Sequence, residues 1–365
     1  MAKFVHRSLA EGVDLKLVRR WPLVVAACMA LGSAYGAFAD DMAGRLTAQI
    51  AKTKAAFAAL PAESEFVKQN GPGTNAQIVE AETQLKAGRR HLSLEALANA
   101  WPGTDGLVGA TGGWGENGKG IEELEKQWNA AGPVIERDRK KFPARTPAGQ
   151  SLFTRAIAEL SLGQVKENYA AALEYGRHPV GGLPSGGFYL ARAQGLMAFA
   201  LAVSDIKEPE RRKAPAIGSH EARIAALEKA IMAEYAKPGS TTFHALFITA
   251  NSQVKLAREL DRDKLYVGAL VVLLRAQFAH GMILTPQPPG TDAIPELKAR
   301  LAEIEKRLAA DKRDHSIGEL YAQKTQLALE AGAADGEAGA TQRRRAAAFL
   351  NSLFPLYFAI MDGAK

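Results

Sequence analysis

Three features predict an all-α fold. Apolar residues recur at three- and four-residue intervals in most segments. Cap-like residues stand ahead of several of them. No convincing run of strict alternation occurs. About ten or eleven helices in antiparallel pairs are expected, as an irregular helical bundle or a divergent helical-repeat array.

Leu46, Ile50, Phe57 and Leu60 share one helical face. Thr74-Asn75-Ala76-Gln77 has the spacing of a capping box, and Ile78, Ala81 and Leu85 continue the face behind it. Ile121–Ala130 reads as the next helix. Thr146-Pro147 reads as a cap followed by proline at the first helical position, where the missing N–H costs nothing. Behind it run Phe153, Ile157, Leu160, Val165, Tyr169 and Leu173. Tyr189 to Val203 is almost all apolar or small and reads as a buried helix. Ser219 caps a helix carrying Ile224, Leu227, Ile231 and Tyr235. Thr242–Leu260 and Tyr266–Met282 form an antiparallel pair joined at Asp261-Arg262-Asp263.

Ile294, Leu297, Leu301, Ile304 and Leu308 make a short heptad seam, supported by Glu296 and Arg300 one turn apart. The turn Asp311–Asp314 leads to a second helix with Ile317, Leu320, Tyr321 and Leu327, so a helical hairpin is expected at 293–331. A kinked terminal helix at 342–361 is expected to dock into the body. Punctuation falls at 61–74, 102–120, 178–187, 205–218, 284–292 and 332–341, at unequal intervals. Part of a tetratricopeptide pattern fits Ala226, Ala233 and Pro238 but fails at His244 and Asn251, so no repeat family is assigned.

The N-terminus sets the expected compartment. Lys16, Arg19 and Arg20 end a basic stretch, an apolar run follows from Trp21 to Tyr35, and Ala37-Phe38-Ala39 matches a signal-peptidase site. A cleavable export signal at 1–39 and an α-helical body at 40–365 are therefore expected, placing the protein in the periplasm or cell envelope. Val25-Ala26-Ala27-Cys28 offers a competing lipobox, in which Cys28 would be lipidated. Arg19-Arg20 also suggests a twin-arginine signal, which Pro22 disfavours. Cleavage after Ala39 would leave 41 basic and 37 acidic residues and no cysteine. That suits an oxidising compartment. It excludes disulfides and argues against nucleic acid as a partner.

Four segments could carry chemistry. Gly113, Gly118 and Lys119 satisfy G-x-x-x-x-G-K, but Gly120 stands where a phosphate loop needs Ser or Thr, and no strand precedes it. Trp101 and Trp114 share that segment with Asp105, Glu116 and Asn117; a tryptophan there can stack on a flat ligand or plug the loop onto the core. His178 opens a second Gly/Pro-rich loop, where it suits either a general base or the end of a helix dipole. The other body histidines, His91, His220, His244, His280 and His315, are scattered singly, so no metal site is read. Last, Arg343–Arg345 precede Phe349, Leu353, Phe354, Tyr357 and Phe358, a stretch that fits docking or an anionic membrane surface but is too short to span.

The leading expectation is an exported, non-enzymatic binding or scaffold protein with a protein or peptide partner and no cofactor. Peripheral membrane association would run through Cys28 lipidation or the C-terminal helix. The alternative is a helical enzyme or small-ligand binder whose site is formed by the Gly-rich loops 102–120 and 178–187. Trp114, Asn117, Lys119 and His178 are its candidate residues.

Overall fold

The structure is a computed structural model and describes residues 42–111, 119–143, 149–177, 185–208, 212–285 and 287–364. These fall within the unit Asp40–Lys365. The expected export signal, its cleavage site and Cys28 lie outside the described residues.

Twelve α-helices follow one another: α1 (Met42–Ala58), α2 (Glu65–Lys86), α3 (Arg90–Thr111), α4 (Lys119–Arg139), α5 (Leu152–Arg177) and α6 (Ser185–Ser204). After an irregular crossing come α7 (Glu221–Tyr235), α8 (His244–Arg262), α9 (Tyr266–Leu284), α10 (Ile294–Ala310), α11 (Ser316–Ala331) and α12 (Gly336–Gly363). Among the described residues the only extended pairing is one isolated bridge, Lys213 to Arg313. The fold is all-α.

Glycine and proline account for the main differences from the sequence reading. Pro72 lies inside α2 and Pro102 inside α3. Thr74 is thus mid-helix rather than a cap, and residues 102–111 are helix rather than loop. An interior proline gives up one hydrogen bond and is tolerated where tertiary packing compensates. Close packing does so here. A Cβ on Gly106 would stand 2.7 Å from the Phe188 ring, and one on Gly109 would run into the Gly187 carbonyl and Ala191. These glycines let α3 and α6 approach. The cap expected at Thr146-Pro147 lies outside the described residues, and α5 begins later, at Leu152.

At the centre lies α9. Its residues from Val267 to Leu274 are all buried, packed by α5, α8 and α12. Helices α10 and α11 form the hairpin, with Leu297, Leu301 and Leu308 of the seam buried. The terminal segment is one continuous 28-residue helix, because a π turn at Phe349–Leu353 accommodates Pro355. Phe349, Leu353, Phe354, Tyr357 and Phe358 are buried. The arginine triplet ahead of them is held locally. Arg343 donates to the carbonyls of Pro289 and Gly332, Arg344 donates to that of Met282, and Arg345 lies over the Phe278 ring. Cations at those carbonyls suit the negative ends of α9 and α11.

Three helices are long and apolar enough to cross a membrane by length and composition: Gly186–Ser204, Tyr266–Leu284 and Gly336–Gly363. The last corrects the expectation of a stretch too short to span, since the π turn lets helix continue through Asn351, Ser352 and Pro355. Between 56% and 78% of each window is buried against the rest of the body.

Candidate functional site

The helix ends carrying the two Gly-rich loops meet. The end of α3 reaches the start of α6, where Gly109 packs against Gly187 and Ala191. Ile121 and Leu124, at the start of α4, pack on Gly176 near the end of α5, and Leu124 also reaches Gly186 of α6. Stacked aromatics line this end: Trp128 on Tyr169 at 4.4 Å and Tyr175 on Tyr189 at 4.8 Å. Trp128 donates to the Tyr169 carbonyl, and the Tyr169 hydroxyl donates back to the Trp128 carbonyl, each at 2.8 Å. Of the candidate residues, Lys119 is the first residue of α4. Trp114, Asn117 and His178 lie outside the described residues.

Beside this end, α2, α3 and α6 enclose an open groove of about 280 Å³. Its α2 wall is Asn70, Gly73, Thr74 and Gln77, its α3 wall Asn99, Gly103 and Leu107, and its α6 wall Phe188 and Arg192. The spacing within each helix, three or four residues, puts each set on one face. Gly103 keeps the floor low, since a Cβ there would stand 3.2 Å from the Thr74 hydroxyl. The Arg192 guanidinium lies 5.9 Å from the Phe188 ring centroid. Burial holds it below the usual arginine range, against the opposing pull of Tyr189 and Glu167. The groove therefore offers three carboxamides, a hydroxyl, one aromatic edge and one cation. Carboxamides both donate and accept, so they can pair with an amide backbone in either direction.

On the α3 face toward α6, Trp101 packs edge-on against Phe199 at 5.5 Å, and Asp105 lies against Gly195. Burial pushes the Asp105 carboxyl up to about 7, and a hydrogen bond from Trp101 only partly opposes this. Both residues are thus helical packing elements rather than parts of a ligand loop.

A second polar site surrounds the start of α5. His91 Nε2 lies 3.2 Å from Glu208 and 3.3 Å from the Ser151 hydroxyl. Ser151 and Thr154 donate to Glu208 at 2.7 and 2.5 Å. The residue types are those of a hydrolytic triad, but the wiring differs. A triad places the imidazole between serine and carboxylate, whereas Glu208 bonds Ser151 directly and meets the same ring nitrogen. The backbone donors that an oxyanion would need are also occupied. Ser151 N–H goes to Glu208, Leu152 N–H to Asp314, Phe153 N–H to the Ser316 hydroxyl, and Thr154 N–H to the Ser151 hydroxyl. This is a capping network that ties three chain segments to one helix start.

Burial alone would raise the Glu208 carboxyl, but His91 and the two hydroxyls more than offset it and lower it from 4.5 to about 2. Its folded value is depressed, so the stability it contributes is present above pH 4.5 and lost as pH falls through about 2. The Glu208→Gln variant is expected to lose about 2 kcal/mol at pH 7 after allowing for the 15% of the side chain still exposed. Its denaturation midpoint should also vary less than wild type between pH 4.5 and pH 2.

Three further histidines, His220, His280 and His315, are dispersed among the helices. His220 Nε2 meets the Tyr266 carbonyl at 3.0 Å, His315 Nδ1 meets the Tyr357 hydroxyl at 2.7 Å, and both ring nitrogens of His280 are buried without a partner. Among the described residues no group of three His, Cys, Asp or Glu side chains could hold a metal ion.

The sequence reading missed the groove and the α5 cap. The groove had a signal in the helical spacing of residues 70, 73, 74 and 77, obscured by Pro72. The cap had none, because His91, Ser151 and Glu208 are 60 and 57 residues apart along the chain. Comparison with family models, curated proteins and solved structures finds no match for this chain.

Proposed function

We propose that the chain is an exported α-helical binding or scaffold protein of the bacterial periplasm or cell envelope. In this reading the α2–α3–α6 groove holds an extended segment of a protein or peptide partner. The observation that carries it is the groove lining: Asn70, Gln77 and Asn99 present carboxamides, and Arg192 presents a cation. Such a surface suits a peptide backbone with an acidic side chain near Arg192. Export rests on the signal pattern at 1–39, with lipidation at Cys28 as the competing form.

A second reading, a small-ligand site or helical enzyme at the Gly-rich loops, is favoured by the meeting of the helix ends that carry them.

Selection from a displayed random-peptide library tests the first reading. Enriched peptides are expected to carry Asp or Glu and to lose binding to Asn99→Trp, which fills the groove from an exposed position. Their acidic preference should vanish with Arg192→Glu. Peptides that bind wild type and Asn99→Trp equally, or no enrichment, would contradict it.

A further inference from the structure

Seven large apolar side chains stay exposed among the described residues, and four of them gather at one end of the body. Met232 and Tyr235 lie in the last turn of α7, Ile248 in the second turn of α8 and Leu284 at the end of α9. Tyr235 meets His244 and Phe247 across the α7–α8 hairpin, with ring centroids 6.5 and 5.0 Å away. Arg344 donates to the Met282 carbonyl and lies over the Phe243 ring just ahead of α8, which brings the end of α9 alongside. The other three, Val79, Val134 and Tyr175, stand on three different helices. Exposed apolar residues scattered singly are ordinary, whereas a cluster marks a contact surface.

Met232 and Ile248 share the outer side of the hairpin. Arg258 of α8 pairs with Glu228 of α7 at 2.7 Å on that side. Met232 follows Glu228 by four residues and precedes Tyr235 by three, and Ile248 follows His244 by four, so both project beside these cross-hairpin contacts. They are 53% and 54% exposed. Cations stand behind them. Lys229 lies one turn before Met232 and Lys255 two turns beyond Ile248, about 5 Å and about 10 Å further from the tip, and both are exposed. Residues 229–255 hold three lysines and one acid, Glu234, which Lys237 pairs at 2.7 Å.

The hairpin is thus apolar at its tip and cationic behind it. The surface of an anionic bilayer has the complementary order, with phosphates outermost and hydrocarbon beneath. Lysine stems lie along apolar surface while their ammonium groups reach the phosphates, and a tyrosine suits the boundary because its ring is apolar and its hydroxyl polar. We infer that the tip of the α7–α8 hairpin docks on an anionic lipid bilayer, with Met232, Tyr235 and Ile248 entering the headgroup layer and Lys229 and Lys255 meeting lipid phosphates. This surface shares no residue with the peptide groove, so either can fail without the other.

Sedimentation of the purified chain with sucrose-loaded vesicles tests the inference, in a Cys28→Ser background so that no lipid anchor contributes. Vesicles of equal parts phosphatidylglycerol and phosphatidylcholine are compared with phosphatidylcholine alone. The anionic vesicles are expected to carry several-fold more protein, and added salt should lower that share. Met232→Ser/Ile248→Ser and Lys229→Glu/Lys255→Glu should each lower it several-fold with the melting temperature unchanged, since all four side chains are exposed. Val79→Ser/Val134→Ser, which removes exposed apolar residues elsewhere, should bind as wild type does. No sedimentation with anionic vesicles, equal sedimentation with neutral ones, or undiminished binding by both hairpin variants would overturn it. So would a dimer that Met232→Ser/Ile248→Ser dissolves, which would make a second copy the occupant.

Discussion

The Arg155→Met variant is expected to lose about 3–5 kcal/mol of stability at pH 8, as when one member of a buried pair is removed. Arg155 and Glu159 lie one turn apart on α5 with side chains only 3% and 5% exposed, joined at 2.6 Å. Arg155 also donates to the Pro143 carbonyl at 2.8 Å and lies over the Phe142 ring. Glu159 in turn accepts from Gly268 N–H at 2.8 Å, at the start of α9. The pair thus links the most buried helix to its neighbour. Burial pushes the Glu159 carboxyl up even with Arg155 beside it. Without Arg155 the carboxylate stays buried against backbone donors of Val267 and Gly268 alone, and protonation becomes its escape. The loss should therefore shrink as pH falls toward the raised Glu159 value. Arg155→Met/Glu159→Gln should recover most of the stability, because neither charge is then stranded. Urea denaturation at pH 8 and pH 5 measures all three. A loss that is independent of pH, or a double variant no better than the single one, would assign the effect to lost packing instead.

The Asp105→Asn variant is expected to gain about 2 kcal/mol at pH 8. The carboxyl titrates at 3.8 in the unfolded chain and near 7 in the fold. Because its folded value is raised, its contribution is most favourable below pH 3.8 and declines as pH rises to about 7, then stays constant. The full shift would correspond to about 4 kcal/mol; roughly half is expected at a partly solvated position. Asparagine keeps the shape and the acceptor for Trp101 and carries no charge. The gain should vanish near pH 4. Thermal unfolding of both chains across that range measures it, and equal midpoints at pH 8 would show that water already solvates the ionised Asp105.

How much of this was legible in the sequence depended on the range of the interaction. The hairpin seam at Leu297, Leu301 and Leu308 and the buried helix through Leu196 and Phe199 were readable, because a helix writes its buried face at fixed local spacing. Pro72, Pro102 and Gly103, Gly106 and Gly109 misled, because residues that break an isolated helix also let packed helices touch. The polar walls of the groove were readable in period but not in partnership, since α2, α3 and α6 meet only in the fold. The ion pairs of Glu95 with Arg275 and Lys324 were invisible for the same reason: Arg275 lies 180 positions from Glu95 and Lys324 lies 229.

Function is tested most directly by a photo-crosslinking residue at Asn99, in cells that express the chain natively. If the α2–α3–α6 groove holds a partner segment, Asn99 should yield a discrete protein adduct in the envelope fraction. That adduct should disappear with Arg192→Glu and be absent when the crosslinker is placed at exposed Glu122 on α4. No adduct at Asn99, or the same adduct from Glu122 and in Arg192→Glu, would contradict a binding role for this groove.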